Sequence, residues 1–329
     1  MKGWGHMAVI DTIPKQPVKA AQRGRAGALG MGRTRYGENP LVPYLFILPH
    51  LLLFGTFILF ATVLGFWISL HKFDFLQPVH PFIGLTNYQH LLLTPGNLYH
   101  DYFFAALRNT LIFVAMTVPT LVILGLLLAN LLNSKFRGRN FFRAVYLAPW
   151  ALSAVVIATL WHFILQDPNE GPVNLLLKSL HLPQVSFFAS QIWAWTSISV
   201  ATIWWTVGFN IIVLLAGLQN IAEDLYEAAQ VDGAGAAARF WSITLPSLRP
   251  VLLFVTVNQM LASFNVFIQP QIMTMGGPGD STYSMVMRIW DTGFPQDKMG
   301  MASAMSFSFA ILLMVLSVVS FRFFNTERA

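Results

Sequence analysis

Side chains that could perform chemistry are few in this sequence, and their spacing excludes several reaction classes. His71, His80, His90 and His100 recur at intervals of nine or ten. No pair has the i, i+4 spacing of helical metal ligands, and the chain has no cysteine, so no metal site is expected. No G-x-S-x-G elbow and no convergent carboxylate pair occurs, so no catalytic residue is expected either. Asp167 and Glu170 read as an external loop pair that meets a partner or solvent. The chain lacks GxxxxGK[ST], and Gly276-Gly277-Pro278-Gly279 has no lysine, so no nucleotide site is expected on it.

The informative polar residues stand inside apolar stretches. Thr202, Trp205, Thr206 and Phe209 follow i, i+3, i+4, i+7 spacing and form one helical stripe of hydroxyls and aromatic surface. Asn258, Asn265 and Gln269 recur at seven and four, with Ser263 nearby, and are expected to share a helical face. Such groups either bond between helices, worth about 0.6 kcal/mol each in membranes, or contact a passing solute with C–H faces and hydroxyl edges. Trp150, beside Pro149, is a further solute-contact candidate or an anchor at the membrane interface.

The elements that must position these residues follow from composition. Of 329 residues only 10% are charged while 55% are apolar. A soluble globule of this length would need far more charge, so the chain reads as an all-α, polytopic integral membrane protein. Six segments approach the roughly 20 apolar residues needed to cross a membrane: 43–70, 105–132, 144–165, 192–218, 251–273 and 299–324. Fifteen of the 20 Lys and Arg fall on one side of these spans, in the tail 1–42, the connection 133–143, the segment 219–250 and the C-terminal end. The 14 acids divide evenly, so the positive-inside rule places both termini in the cytoplasm. The pI near 9.7 is then a topology signal and nucleic acid is not an expected partner. Residues 1–42 read as a flexible cytoplasmic tail whose Lys19, Arg23, Arg25, Arg33 and Arg35 can attract anionic lipid headgroups.

One cytoplasmic segment, 219–250, carries most information. Residues 222–231 are strong helix formers, with Glu223 and Asp224 at the favourable amino-terminal end. Leu225, Ala228, Ala229 and Asp232 make a small, nearly flat face, and Gly233 and Gly235 turn the chain. Pro246 and Pro250 are expected to end the following amphipathic piece before the fifth span. Glu223, Asp224, Glu227 and Asp232 make the short helix acidic without a single Lys or Arg. That composition suits docking to a basic groove better than resting on lipid.

The run Glu227-Ala228-Ala229-x-x-Asp232-Gly233-Ala234, with Phe240, Ile243, Leu245-Pro246, Leu248 and Pro250, resembles the EAA loop of permease subunits of bacterial binding-protein-dependent ABC importers. Ala222 departs from the proline common before that helix. Phe136-Arg137-Gly138-Arg139 with Phe142-Arg143, Leu147-Ala148-Pro149-Trp150-Ala151, and Thr274-Met275-Gly276-Gly277-Pro278-Gly279 are similar to the carbohydrate-uptake branch. The likeness extends over about residues 41–325 and implies a type I importer permease domain, 43–325, with a coupling loop at 220–250. It implies ATPase docking by Glu223, Leu225, Glu227, Ala228, Ala229, Asp232 and Gly233. It further implies a sugar site drawing on the fourth and fifth spans. Implied partners are a second permease subunit, two ATP-binding subunits that hold ATP and Mg, an extracytoplasmic solute-binding protein, membrane lipid and a sugar. The implied location is the bacterial cytoplasmic membrane. An ion-coupled secondary transporter is the alternative, weakened by the scarcity of ionisable groups within the spans.

Overall fold

The computed structural model describes residues 42–134, 136–167 and 170–325. Of the expected tail, 1–41 lie outside the described residues. Every regular element among the described residues is a helix, with one isolated bridge between His71 and Phe82. The chain divides into two units at Thr56 and Phe57. The first contributes α1 (Val42–Phe54), whose Tyr44, Leu45 and Phe46 are exposed, as an apolar helix surrounded by lipid would have them.

The second unit holds the other helices. These are α2 (Ala61–Ser69), α3 (Thr86–Leu92), α4 (Leu98–Asn133), α5 (Arg139–Leu147), α6 (Ala154–Ile164), α7 (Pro172–Ser179) and α8 (Gln191–Gln219). They continue with α9 (Glu223–Val231), α10 (Ala236–Arg239), α11 (Leu245–Phe264), α12 (Ile268–Met273), α13 (Met285–Gly293) and α14 (Met299–Asn325). Five stretches are long and apolar enough to cross a membrane: Tyr44–Ser69, Leu98–Asn133, Gln191–Gln219, Ala236–Phe264 and Met299–Ser320. A sixth crossing is available only as a bent pair, Arg139–Ala151 and Ala154–Ile164, which turn by 100°.

That bend divides the span expected over 144–165. α5 runs into a 3-10 turn, Ala148–Ala151, where Pro149 has no N–H to offer. Ser153 then opens α6 with extended backbone, and its hydroxyl accepts from the Val156 N–H. At 1.5 Å per residue, the 11 residues of α6 reach about 16 Å, roughly half a hydrocarbon core.

The fifth crossing differs from 251–273 at both ends. Helix begins at Ala236, passes through a π-helical stretch at Phe240–Thr244 and continues to Phe264. Pro246 and Pro250 therefore do not end it. Pro246 sits where the π-helical stretch passes into α11, and Pro250 is carried inside the helix. The far end stops early: Asn265 caps α11, and Ile268 opens a separate short helix.

Three apolar clusters hold the unit together. α4, α8 and α11 share the first, with Leu121, Ala129, Ile211, Leu214 and Leu248 buried. Leu91, Phe103, Phe264, Met285 and Met305 join α3, α4, α11, α13 and α14 in the second. Phe113, Ala158, Trp195, Ile198 and Met273 join α4, α6, α8 and α12 in the third. Two glycines permit close approach. A Cβ on Gly208 of α8 would lie 2.0 Å from the Tyr146 carbonyl oxygen of α5. One on Gly300 would lie 2.2 Å from the His71 carbonyl oxygen.

Candidate functional site

The break after Phe264 creates the site. A cavity of about 280 Å³ lies where α11 gives way to α12, with α8 opposite. Thr202, Trp205 and Thr206 line it from α8, and Gln259, Ala262 and Ser263 from α11. Asn265 through Gln269 close it along the break, with Phe113 of α4 and Ala154 of α6 completing the wall. Most of the wall is apolar and aromatic, and a few amides and hydroxyls interrupt it. Thr202 and Thr206 donate back to the carbonyls of Ile198 and Thr202 at 2.8 and 2.7 Å. Both hydroxyl oxygens keep lone pairs for an incoming donor. Ser263 accepts from Thr117 at 3.2 Å. Trp205 donates its indole N–H to the Leu152 carbonyl at 3.1 Å, so the cavity wall also holds the bend between α5 and α6 in place.

The structure thus brings together Thr202, Trp205, Thr206, Ser263, Asn265 and Gln269. Three candidates fall elsewhere. Trp150 and Phe209 stack on one another, with ring centroids 5.5 Å apart, outside the cavity lining. Asn258 is exposed on a stripe with Phe254 and Leu261, at spacings of four and three, which turns it away from the cavity. The shared face expected for Asn258, Asn265 and Gln269 does not form, because no single helix carries all three.

In place of Asn258 the cavity uses its neighbour. Gln259 is buried and donates to Asn210 Oδ1 at 2.7 Å, joining α11 to α8. The usable signal was its position three and four residues before Ala262 and Ser263, on one helical face.

At the other candidate surface, α9 has the form expected of it. Its amino-terminal turn carries Glu223 and Asp224, and Leu225, Glu227 and Ala228 are exposed, with Ala229 half-buried. Gly233 takes φ +79°, and the Ala234 and Gly233 N–H groups return to the carbonyls of Ala229 and Gln230 at 2.8 and 3.0 Å. This is a Schellman ending, in which glycine accepts the left-handed backbone and the last carbonyls find donors. Tyr226 ties the helix to Thr244 through a hydroxyl pair at 2.9 Å.

The face carrying the 274–298 connection is cross-linked. Arg288 is buried between the rings of Tyr102 and Tyr283, each centroid 4.0 Å from its Cζ, and pairs with Asp280 at 2.8 Å. Burial, with Asp291 adding to it, pushes the Tyr283 phenol up, so it faces the cation as a neutral ring. Asp297 accepts the Phe75 and Leu76 N–H groups at 2.7 and 3.1 Å, and Lys298 donates to Asp74 at 3.0 Å. His71 and His100 each direct Nδ1 at a backbone carbonyl, of Trp67 and Leu91.

The model of the binding-protein-dependent transport system inner membrane component family matches residues 121–326. The chain belongs to this family. The permease is 35% identical, over 87% of its length and 94% of the relative's, to the trehalose/maltose transport system permease protein MalF of Thermococcus litoralis. It is 31% identical, over 86% and 93%, to the sn-glycerol-3-phosphate transport system permease protein UgpA of Yersinia pestis bv. Antiqua. Its fold matches a chain of a bacterial alginate ABC transporter solved with an alginate pentasaccharide-bound periplasmic protein, at TM-score 0.72 and 24% identity, over 85% and 92%. Membership sets aside the ion-coupled secondary transporter.

Proposed function

We propose that this permease is one of two membrane subunits of an ABC importer and passes an oligosaccharide or related polyol through the cavity at the α11–α12 break. The observation that carries the reading is the cavity wall. Trp205 and Phe267 offer flat apolar faces, while Thr202, Thr206, Gln259, Ser263, Asn265 and Gln269 offer hydroxyls and amides. A sugar presents C–H faces and hydroxyl edges to match, and no charged side chain lines the cavity. The trehalose/maltose relative supports a sugar. The glycerol-phosphate relative is compatible with the fold, but its anionic solute would need a cation that this wall lacks.

The permease contributes no catalytic group; ATP hydrolysis belongs to two partner subunits. α9, acidic and exposed, docks in a cleft of one of them, and closure of the pair on ATP moves it. The bundle then shifts between inward- and outward-facing packings, which is alternating access by the relative stability of two states. The external connections near 73–102, 166–191 and 276–298 receive a solute-binding protein. Both termini face the cytoplasm across a bacterial cytoplasmic membrane, as the Lys and Arg asymmetry supports.

One comparison in reconstituted complexes tests both surfaces. Thr206→Ala and Asn265→Ala are expected to lower solute uptake severalfold while the ATPase subunits still co-purify. Glu227→Ala and Gly233→Ala are expected to lower uptake together with co-purification. Normal uptake in both cavity variants would remove the cavity from the pathway, and normal assembly and uptake in both α9 variants would remove the docking surface.

A further inference from the structure

We infer that the α5 elbow, where Arg137 and Arg139 precede an exposed Phe141, Phe142 and Val145, is a binding site for the headgroup of an anionic phospholipid. The bend sets the geometry. α5 and α6 differ in direction by 100°, so when α6 runs across the membrane α5 lies along its surface. One face of α5 is occupied by protein: Tyr146 meets α8 at Gly208, and Arg143 donates to the Leu132 carbonyl at 3.0 Å. The other is not. Phe141, Phe142 and Val145 are 68%, 45% and 48% exposed.

Charge then selects the occupant. Residues 133–166 contain four basic residues and no Asp or Glu. Arg137 is exposed and Arg139 half-buried, and neither has a carboxylate partner among the described residues. Apolar rings beside unpaired guanidinium groups, on a helix lying in the interface, match acyl chains beneath a phosphodiester. Arginine binds such a phosphate through two parallel N–H groups. The acidic α9 has the opposite composition and suits a basic protein cleft, so the two surfaces call for different partners. This assignment does not depend on the identity of the solute.

The test uses the whole transport complex in detergent with equal amounts of phosphatidylglycerol and phosphatidylcholine, the retained lipids being counted by native mass spectrometry. Wild type is expected to retain phosphatidylglycerol preferentially, R137Q/R139Q to lose about fivefold in that preference per arginine, and R137K/R139K, which keeps the charge without the paired N–H groups, to fall between the two. Absence of a preference in wild type, or an undiminished preference in R137Q/R139Q, overturns the proposal. So does loss of the ATPase subunits from R137Q/R139Q with its lipid preference intact, which would make the surface a protein contact. Should the glutamine pair fail to assemble, the decision falls to an N140C chain, whose added thiol is its only cysteine, labelled with a polarity-sensitive fluorophore. Its emission must respond, in a salt-sensitive way, to phosphatidylglycerol added to phosphatidylcholine vesicles, and an unchanged emission overturns the proposal.

Discussion

At the scale of single residues, the hydrogen bond from Gln259 to Asn210 couples cavity and scaffold. Asn210 is fully buried, and its Nδ2 has no partner among the described residues. Removing Gln259 leaves the Asn210 oxygen unpaired as well, and an unsatisfied buried group costs more than a made bond contributes. Gln259→Leu is therefore expected to destabilise the permease by about 1 kcal/mol, read from thermal unfolding in detergent. N210L/Q259L should recover part of that loss, because both polar partners leave together, while uptake stays impaired because the cavity amide is gone. Equal stability of Q259L and the double variant would mean that the unpaired Asn210 amide is not the source of the loss. The sequence pointed to amides in this stretch but to the wrong neighbour. Asn258 and Asn265 are seven apart and would share a face on an unbroken helix, but α11 ends at Phe264. Helical spacing has no term for a break that tertiary packing imposes.

At the scale of elements, local chemistry was legible and helix continuity was not. α9 could be read because its signals are contiguous: acids in the first turn, small residues along one face, glycine at the end. Gly233 shows how direct that reading is. A Cβ there would meet nothing within 4 Å, so the glycine answers to its φ of +79° alone. The prolines misled in both directions. Pro149 lies in a stretch expected to be one continuous span and marks a bend, whereas Pro246 and Pro250, expected as stops, lie within one helical run. What distinguishes them is the partner: Trp205 stabilises the bend by bonding the Leu152 carbonyl, a contact between residues 53 apart. The elbow also needs Gly208. Gly208→Val would drive a side chain into the Tyr146 carbonyl, with backbone on both sides and no flexible group to yield. α5 should be displaced from α8, and a cysteine placed at Leu147, half-buried beside the contact, should label severalfold faster in the valine variant. Unchanged labelling would show that α8 yields instead.

At the scale of the whole molecule, the two ends of the Phe57–Asn325 unit are built differently. The helix read as the docking surface is exposed, joined to the rest by its capping turn and one hydroxyl pair. The opposite face is knit across the sequence, with Asp74 joined to Lys298 and Phe75 to Asp297. The Asp74–Lys298 pair joins segments more than 200 residues apart, and its strength can be tested through pH. The hydrogen bond to Asp74 raises the Lys298 pKa above its ordinary 10.5, ahead of the opposing effect of burial. A raised lysine contributes stability that is fully present below 10.5 and is lost as pH climbs through the folded value. Lys298 is 40% exposed, so solvent screens the pair and its worth stays under about 1 kcal/mol. Asp74→Asn should therefore unfold slightly below wild type at pH 8, and the two melting temperatures should converge as pH climbs past the raised Lys298 value. If the gap persisted there, Asp74 would be stabilising the loop without its ion pair.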